Sequence, residues 1–169
     1  MSIHGGNYLN EGNMKKYFIL TLLLSLTCSV CNAQRQNSGI KEYEVECLGV
    51  EGDGSQTVRA YGFGKDKEDA TDQAQKNAVY AVIFKGITKG SGCNMKPLIN
   101  EVNAREKYED YFDNFFKDDG PFKDFISMDD ERMFGREDTR NALGRRYAVV
   151  ITVLRSELRM KLKEDGILK

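Results

Sequence analysis

The chain is 169 residues long, with 25 basic and 26 acidic side chains, a formal net charge of −1, one histidine and no tryptophan. So even a balance carries no electrostatic footprint for nucleic acid. The length suits one domain with a real core and is too short for two ordinary domains once a leader is set aside.

Residues 14–33, MKKYFILTLLLSLTCSVCNA, open on Lys15 and Lys16, continue through an apolar run to Leu26 and end on the small residues Cys31 and Ala33. That is the pattern of a secretory signal peptide cleaved after Ala33. A spanning helix needs about 20 apolar residues, and neither this run nor any later one reaches that length, so no transmembrane span is expected. The residues before Met14 are polar and glycine-rich, unlike a charged signal-peptide start, and Met14 is the expected initiator. Cys28 and Cys31 lie where a lipidated cysteine would, but their flanking residues fit a lipobox poorly, so no lipid anchor is expected. The division is therefore 1–33 as upstream extension and removed signal peptide, 34–40 as a flexible leader, and 41–169 as one domain. The product is expected to be exported, to the periplasm or the outer membrane.

Cleavage removes two basic residues and one acidic residue, moving the formal charge from −1 to −2, and it removes His4. The remaining chain has no imidazole for a dyad with serine or cysteine, a proton shuttle or a zinc site. Its cysteines, Cys47 and Cys93, form one disulfide or sit as buried thiols in an oxidising compartment, and spacing alone leaves both open.

Within 41–50, KEYEVECLGV, Tyr43, Val45 and Cys47 alternate with Glu44 and Glu46, the period of a half-buried strand. EGDGSQ supplies turn chemistry. A second strand, TVRAYGFGK over 57–65, puts Thr57, Arg59, Tyr61 and Phe63 on one face and Val58, Ala60, Gly62 and Gly64 on the other. Asp66 then caps a helix running to about residue 85 and stopping at Gly86, with Glu68 and Asp69 in its first turn. Ala70, Ala74, Ala78 and Ala81 give this helix a face as bare as the strand before it, so the two surfaces are expected to pack backbone close to backbone.

After a glycine-containing loop, Tyr108, Tyr111, Phe112, Phe115 and Phe116 recur at the spacing of an amphipathic helix, which Asp118, Asp119, Gly120 and Pro121 end. Short strands are expected over 125–128 and 132–136. RRYAVVITVL, 145–154, is apolar at nearly every position and reads as a central strand covered on both faces. The tail from 155 fits period two as well as a helix. Its strong helix formers, and Gly166 as a C-terminal cap, select helix. The order predicts an α+β fold: a single domain with a ββα-type core, its mostly antiparallel sheet carrying two or three helices.

Few patterns here carry chemistry. YGFGK lacks the third glycine of a dinucleotide loop and the Gly-Lys-Ser/Thr of a phosphate loop, so close strand–helix packing explains its glycines better. Asp118-Asp119 and Asp129-Asp130-Glu131 do not follow a calcium-loop pattern and read as solvated turns, beside arginines at 132, 136, 140, 145 and 146 that balance their charge. Carboxylate pairs could serve a hydrolase, but a small tryptophan-free domain offers little for an aromatic-lined cleft. No metal, no cofactor and no catalytic residue is expected.

The segment 45–87 resembles uncharacterised secreted proteins of Bacteroidetes. More distantly it is similar to small envelope lipoproteins sharing a domain type with the N-terminal part of the flagellar assembly protein T. The likeness rests on the strand carrying Gly62 and Gly64 and the helix carrying Ala70, Ala74, Ala78 and Ala81; VVITVLRSELRMKLKEDGI at the end also looks like the first group. The resemblance implies an envelope-associated, non-catalytic module that binds or assembles through contact with an envelope protein or a second copy. Tyr108, Tyr111, Phe112 and Arg145 are the candidate contact residues. The alternative is a small-ligand or glycan-binding protein whose groove is lined by Tyr61, Phe63 and the aromatic helix.

Overall fold

The computed structural model describes residues 44–90, 93–128, 137–141 and 144–169, with 137–141 and 144–145 described by backbone alone. β1 (Val45–Val50) and β2 (Gln56–Gly64) form the expected hairpin. Its turn is closed by Asp53, whose carboxylate accepts from the Ser55 amide and hydroxyl at 2.9 Å each, and by Gly54 at φ 86°. Those two bonds hold the Asp53 carboxyl below its ordinary pKa.

β2 pairs along its whole length with β5 (Gly144–Val153), from Gln56 opposite Val153 to Gly64 opposite Arg145. β3 (Ile126–Ser127) lies against the far end of β5, and β4 (Glu137–Asn141) against its beginning. The order is β1-β2-β5, with β3 and β4 sharing the last edge, all antiparallel. β5 is the central strand its apolar run announces: Val149 and Ile151 are buried on one face, Ala148 and Val150 on the other. The strand expected over 125–128 is the two-residue β3; the one expected over 132–136 lies outside the described residues.

α1 (Lys67–Tyr80) begins at Asp66, whose carboxylate accepts from the Asp69 N–H at 3.0 Å, and continues through a π turn (Ala81–Lys85) to Gly86 at φ 73°. Leu98 and Ile99 donate their N–H groups to the Val82 and Ile83 carbonyls at 3.0 and 2.9 Å, satisfying acceptors that the helix end would otherwise leave open. The aromatic segment is not one even helix. It divides into α2 (Ala104–Lys107) and α3 (Glu109–Phe115) at Tyr108, φ −114° and ψ 37°, although the i to i−4 bonds on both sides of Tyr108 survive at 3.1 and 3.0 Å.

A 3₁₀ turn, Pro121–Phe125, follows and inserts Phe122 and Phe125 into the core. The tail is α4 (Arg155–Glu164), closed by Gly166 at φ 72°. Buried residues of every described helix meet Val58, Ala60, Val149, Ile151 and Val153 in one cluster on a single face of the sheet. This is a single α+β domain. Among the described residues, no helix is long and apolar enough to cross a membrane.

A buried cation ties three segments together at the hairpin end of the sheet. Arg155, at the start of α4, donates to the Gln56 side-chain oxygen at 3.2 Å and to the Lys96 carbonyl at 2.7 Å, while burial holds its pKa below the usual guanidinium value.

Candidate functional site

The small-residue surfaces meet inside the fold. A Cβ at Gly62 would overlap the Ala70 carbonyl oxygen and stand 2.5 Å from the Ala74 nitrogen; one at Gly64 would stand 2.6 Å from the Asp69 Cβ and closer still to the Ala70 nitrogen. Ala70, Ala74, Ala78 and Ala81 are all buried. This contact is enclosed and presents nothing to a partner. The N-terminus of α1 is likewise occupied, because the Asp66 carboxylate takes an end amide and Glu68 and Asp69 add negative charge, so the glycines before it do not cradle a phosphate.

Gly62 faces α1, and the alternation of the strand therefore turns Tyr61 and Phe63 to the opposite, back face of the sheet. Across β5 that face continues through Arg146, Ala148, Val150 and Thr152. Its charges are matched across strands. Arg59 pairs with Glu46 at 3.0 Å, Arg146 pairs with Glu44 at 2.7 Å, and the Thr57 and Thr152 hydroxyls meet at 2.9 Å. The Arg146 guanidinium also lies 3.9 Å from the centre of the Tyr61 ring, a cation–π contact that holds the two side chains against each other. Tyr61 and Phe63 keep part of their surface exposed.

The other candidates separate from this pair. Phe112 is completely buried and Phe115 and Phe116 nearly so; thus Phe112, expected as a contact residue, is a core residue whose ring a partner at the folded surface does not reach. Tyr108 and Tyr111 are half-buried on the helical side, Tyr108 beneath the Lys107 ammonium at 5.0 Å. Tyr61 and Phe63 therefore share no groove with the aromatic helix. Arg145 stands in β5 opposite Gly64, and its side chain lies outside the described ones.

Tyr111 donates to Asp165 at 2.7 Å, which also accepts from Lys161 at 2.8 Å. Burial and the bond to Asp165 raise the Tyr111 pKa. For Asp165 burial acts upward, and the bonds from Lys161 and Tyr111 outweigh it, so its carboxyl is depressed. A depressed carboxylate contributes stability above its unfolded-state pKa and loses it as pH falls through the folded value. Tyr111→Phe is accordingly expected to cost about 1 kcal/mol at neutral pH and almost nothing in strong acid, compared by urea titration of both proteins at each pH.

A charged groove of about 740 Å³ lies along α1, with Lys65, Asp72, Lys76, Asp118 and Lys123 among its lining. Its ions neutralise one another: Lys76 reaches Asp72 at 2.8 Å and Asp118 at 2.6 Å, and Lys123 reaches Asp72 at 3.0 Å and Asp119 at 2.8 Å. Among the described residues, no group of three or more histidine, cysteine or acidic side chains is placed to hold a metal ion.

Cys47 and Cys93 are joined in a disulfide, with Cα atoms 5.9 Å apart. The chain matches no family model, no curated protein and no solved structure. The stacked pair of Tyr61 and Arg146 is what reading the sequence missed. Its trace was present in the polar alternation of Glu44 and Glu46, but pairing these with Arg146 and Arg59 needs the register of three strands.

Proposed function

We propose that this chain is an exported envelope module without catalytic activity, acting through protein contact, and that the back face of β2, around Tyr61 and Phe63, is its contact surface. The observation that carries the reading is the partly exposed Tyr61 ring in contact with the Arg146 guanidinium, with Phe63 two residues further along the same strand face. Aromatic and arginine side chains already fixed in one geometry lose little entropy on binding, and they are the residue types on which interface energies concentrate.

The described helices pack on the other face, so this side of β2 has no described helix over it. The disulfide suits an oxidising compartment, in keeping with the signal peptide read at residues 14–33. The resemblance to secreted Bacteroidetes proteins points the same way, toward an envelope protein or a second copy as partner.

A photo-crosslinking residue placed at Phe63 is expected to capture a discrete partner in intact cells, whereas the same residue at Met160, exposed on α4, captures none. Equal yields from both positions, or none from Phe63, would remove the back face as the contact surface.

A further inference from the structure

We infer that residues 87–90 form a strap closed over the outer edge of β1 and latched by the Cys47–Cys93 disulfide, so that cleavage of that bond by a dithiol opens the edge of the sheet. The inference stands on the front edge of the domain and does not depend on the back face.

β1 ends the sheet in the order β1-β2-β5. An edge strand presents unpaired amides, a template on which another strand can add. Here the Cys47 N–H, pointing away from β2, donates to the Lys89 carbonyl at 2.8 Å, and Cys47 forms a parallel bridge with Gly90. Gly90 has φ 108°, and a Cβ on it would stand 2.9 Å from both the backbone nitrogen and the carbonyl carbon of Cys47, so only glycine lets the strap lie this close. Lys89 also pairs with Glu44 just before β1. Ile87 donates to the Met95 carbonyl at 3.2 Å, which folds the returning limb back on the strap, and from that limb Cys93 bonds to Cys47 itself.

The Lys89–Glu44 pair is solvent-exposed and therefore weak. Among the described residues the strap is otherwise held to β1 by the backbone contact of Cys47 with Lys89 and Gly90 and by the disulfide, while Ile87 anchors its root in the core. Removing the disulfide releases the one covalent restraint on Lys89 and Gly90. The uncovered edge then carries a free Cys47 amide between Val45 and Leu48, the latter 40% exposed, with Val50 42% exposed beyond it.

In the reaction, a thiolate of the dithiol attacks one sulfur and expels the other as thiolate. The second thiol of the reagent then displaces the remaining cysteine. Two electrons and two protons pass to Cys47 and Cys93, and the reagent leaves as its own disulfide. Both cysteines are only 2% exposed, so the reagent attacks during transient local opening of the segment around Cys93.

The test is residue-resolved amide exchange of the full chain, oxidised, reduced with dithiothreitol, and as Cys93→Ser. Loss of the latch is expected to speed exchange at Cys47 by about tenfold or more in both altered forms, while Ala60 and Val149 keep their protection. An unchanged Cys47 rate would show that the strap stays shut without its latch. Protection lost across β2 and β5 together would show that the bond holds the whole domain. Either result overturns the inference.

Discussion

Gly62→Ala is expected to destabilise the domain by about 3 kcal/mol, at the upper end of the usual overpacking range. The new methyl would fall on the Ala70 carbonyl oxygen and within 2.5 Å of the Ala74 nitrogen, both backbone atoms of α1. A side chain in the way can rotate; a helix backbone can yield only by moving the helix, which is pinned by its own buried alanines and by Val79, Val82 and Ile83. Gly62 is not in the left-handed region, so alanine would otherwise narrow the unfolded ensemble and help slightly. The whole loss is therefore steric.

Ala74→Leu tests the same contact from the helix side and is expected to cost about 1 to 3 kcal/mol, because a larger side chain has some freedom to turn. Urea titration reads both, with a lower midpoint and an unchanged slope as the expected result. A Gly62→Ala protein with the wild-type midpoint would mean that β2 and α1 are not in this contact.

What was legible in the sequence follows the reach of each signal. The strands of the hairpin, the cap at Asp66, the stop at Gly86 and the central position of β5 are written in residues one to four positions apart, and each appears where its pattern places it. The break at Tyr108 is not, because the aromatic stripe continues through it and the interruption lies in backbone angles alone. β3 is too short for any period to show, its two residues being held by Val153 and Thr152 of β5.

At the candidate site, the sequence names Tyr61 and Phe63 and their shared face, since strand alternation is local. It does not name Arg146 as the partner of Tyr61, although the two are 85 positions apart only along the chain and sit on neighbouring strands. The same holds for Arg155, which reads as a charge on a helix and proves to be buried, because its acceptors come from β2 and from the loop at Lys96. Long-range polar contacts leave no periodic trace, and the Tyr61–Arg146 contact is the one that distinguishes the back face of β2 from an ordinary solvated strand.

Phe112→Ala is expected to cost about 3 to 5 kcal/mol, the range for truncating a fully buried aromatic, which is a large share of the roughly 5 to 15 kcal/mol that holds a domain together. The Phe112 ring meets Phe84 at 4.8 Å, Tyr111 at 5.1 Å, Phe116 at 6.4 Å and Phe115 at 6.5 Å between centroids, and Arg105 stands 5.9 Å from its centre. Deleting it removes the residue common to these contacts and leaves a cavity that four other rings, each held by further neighbours, collapse into only partly.

The same truncation at Phe63, half-buried on the back face, has no such cluster among the described residues to empty and should lower stability by less than about 1 kcal/mol. The contrast separates two meanings of an aromatic residue in this chain. If Phe112→Ala lowers stability while a crosslinker at Phe63 still captures its partner at a temperature where the variant is folded, the aromatic helix serves the core and the sheet serves contact. If Phe112→Ala leaves the midpoint in place, its ring is not the centre of the packing described, and the helical aromatics return as candidates for the surface that a partner meets.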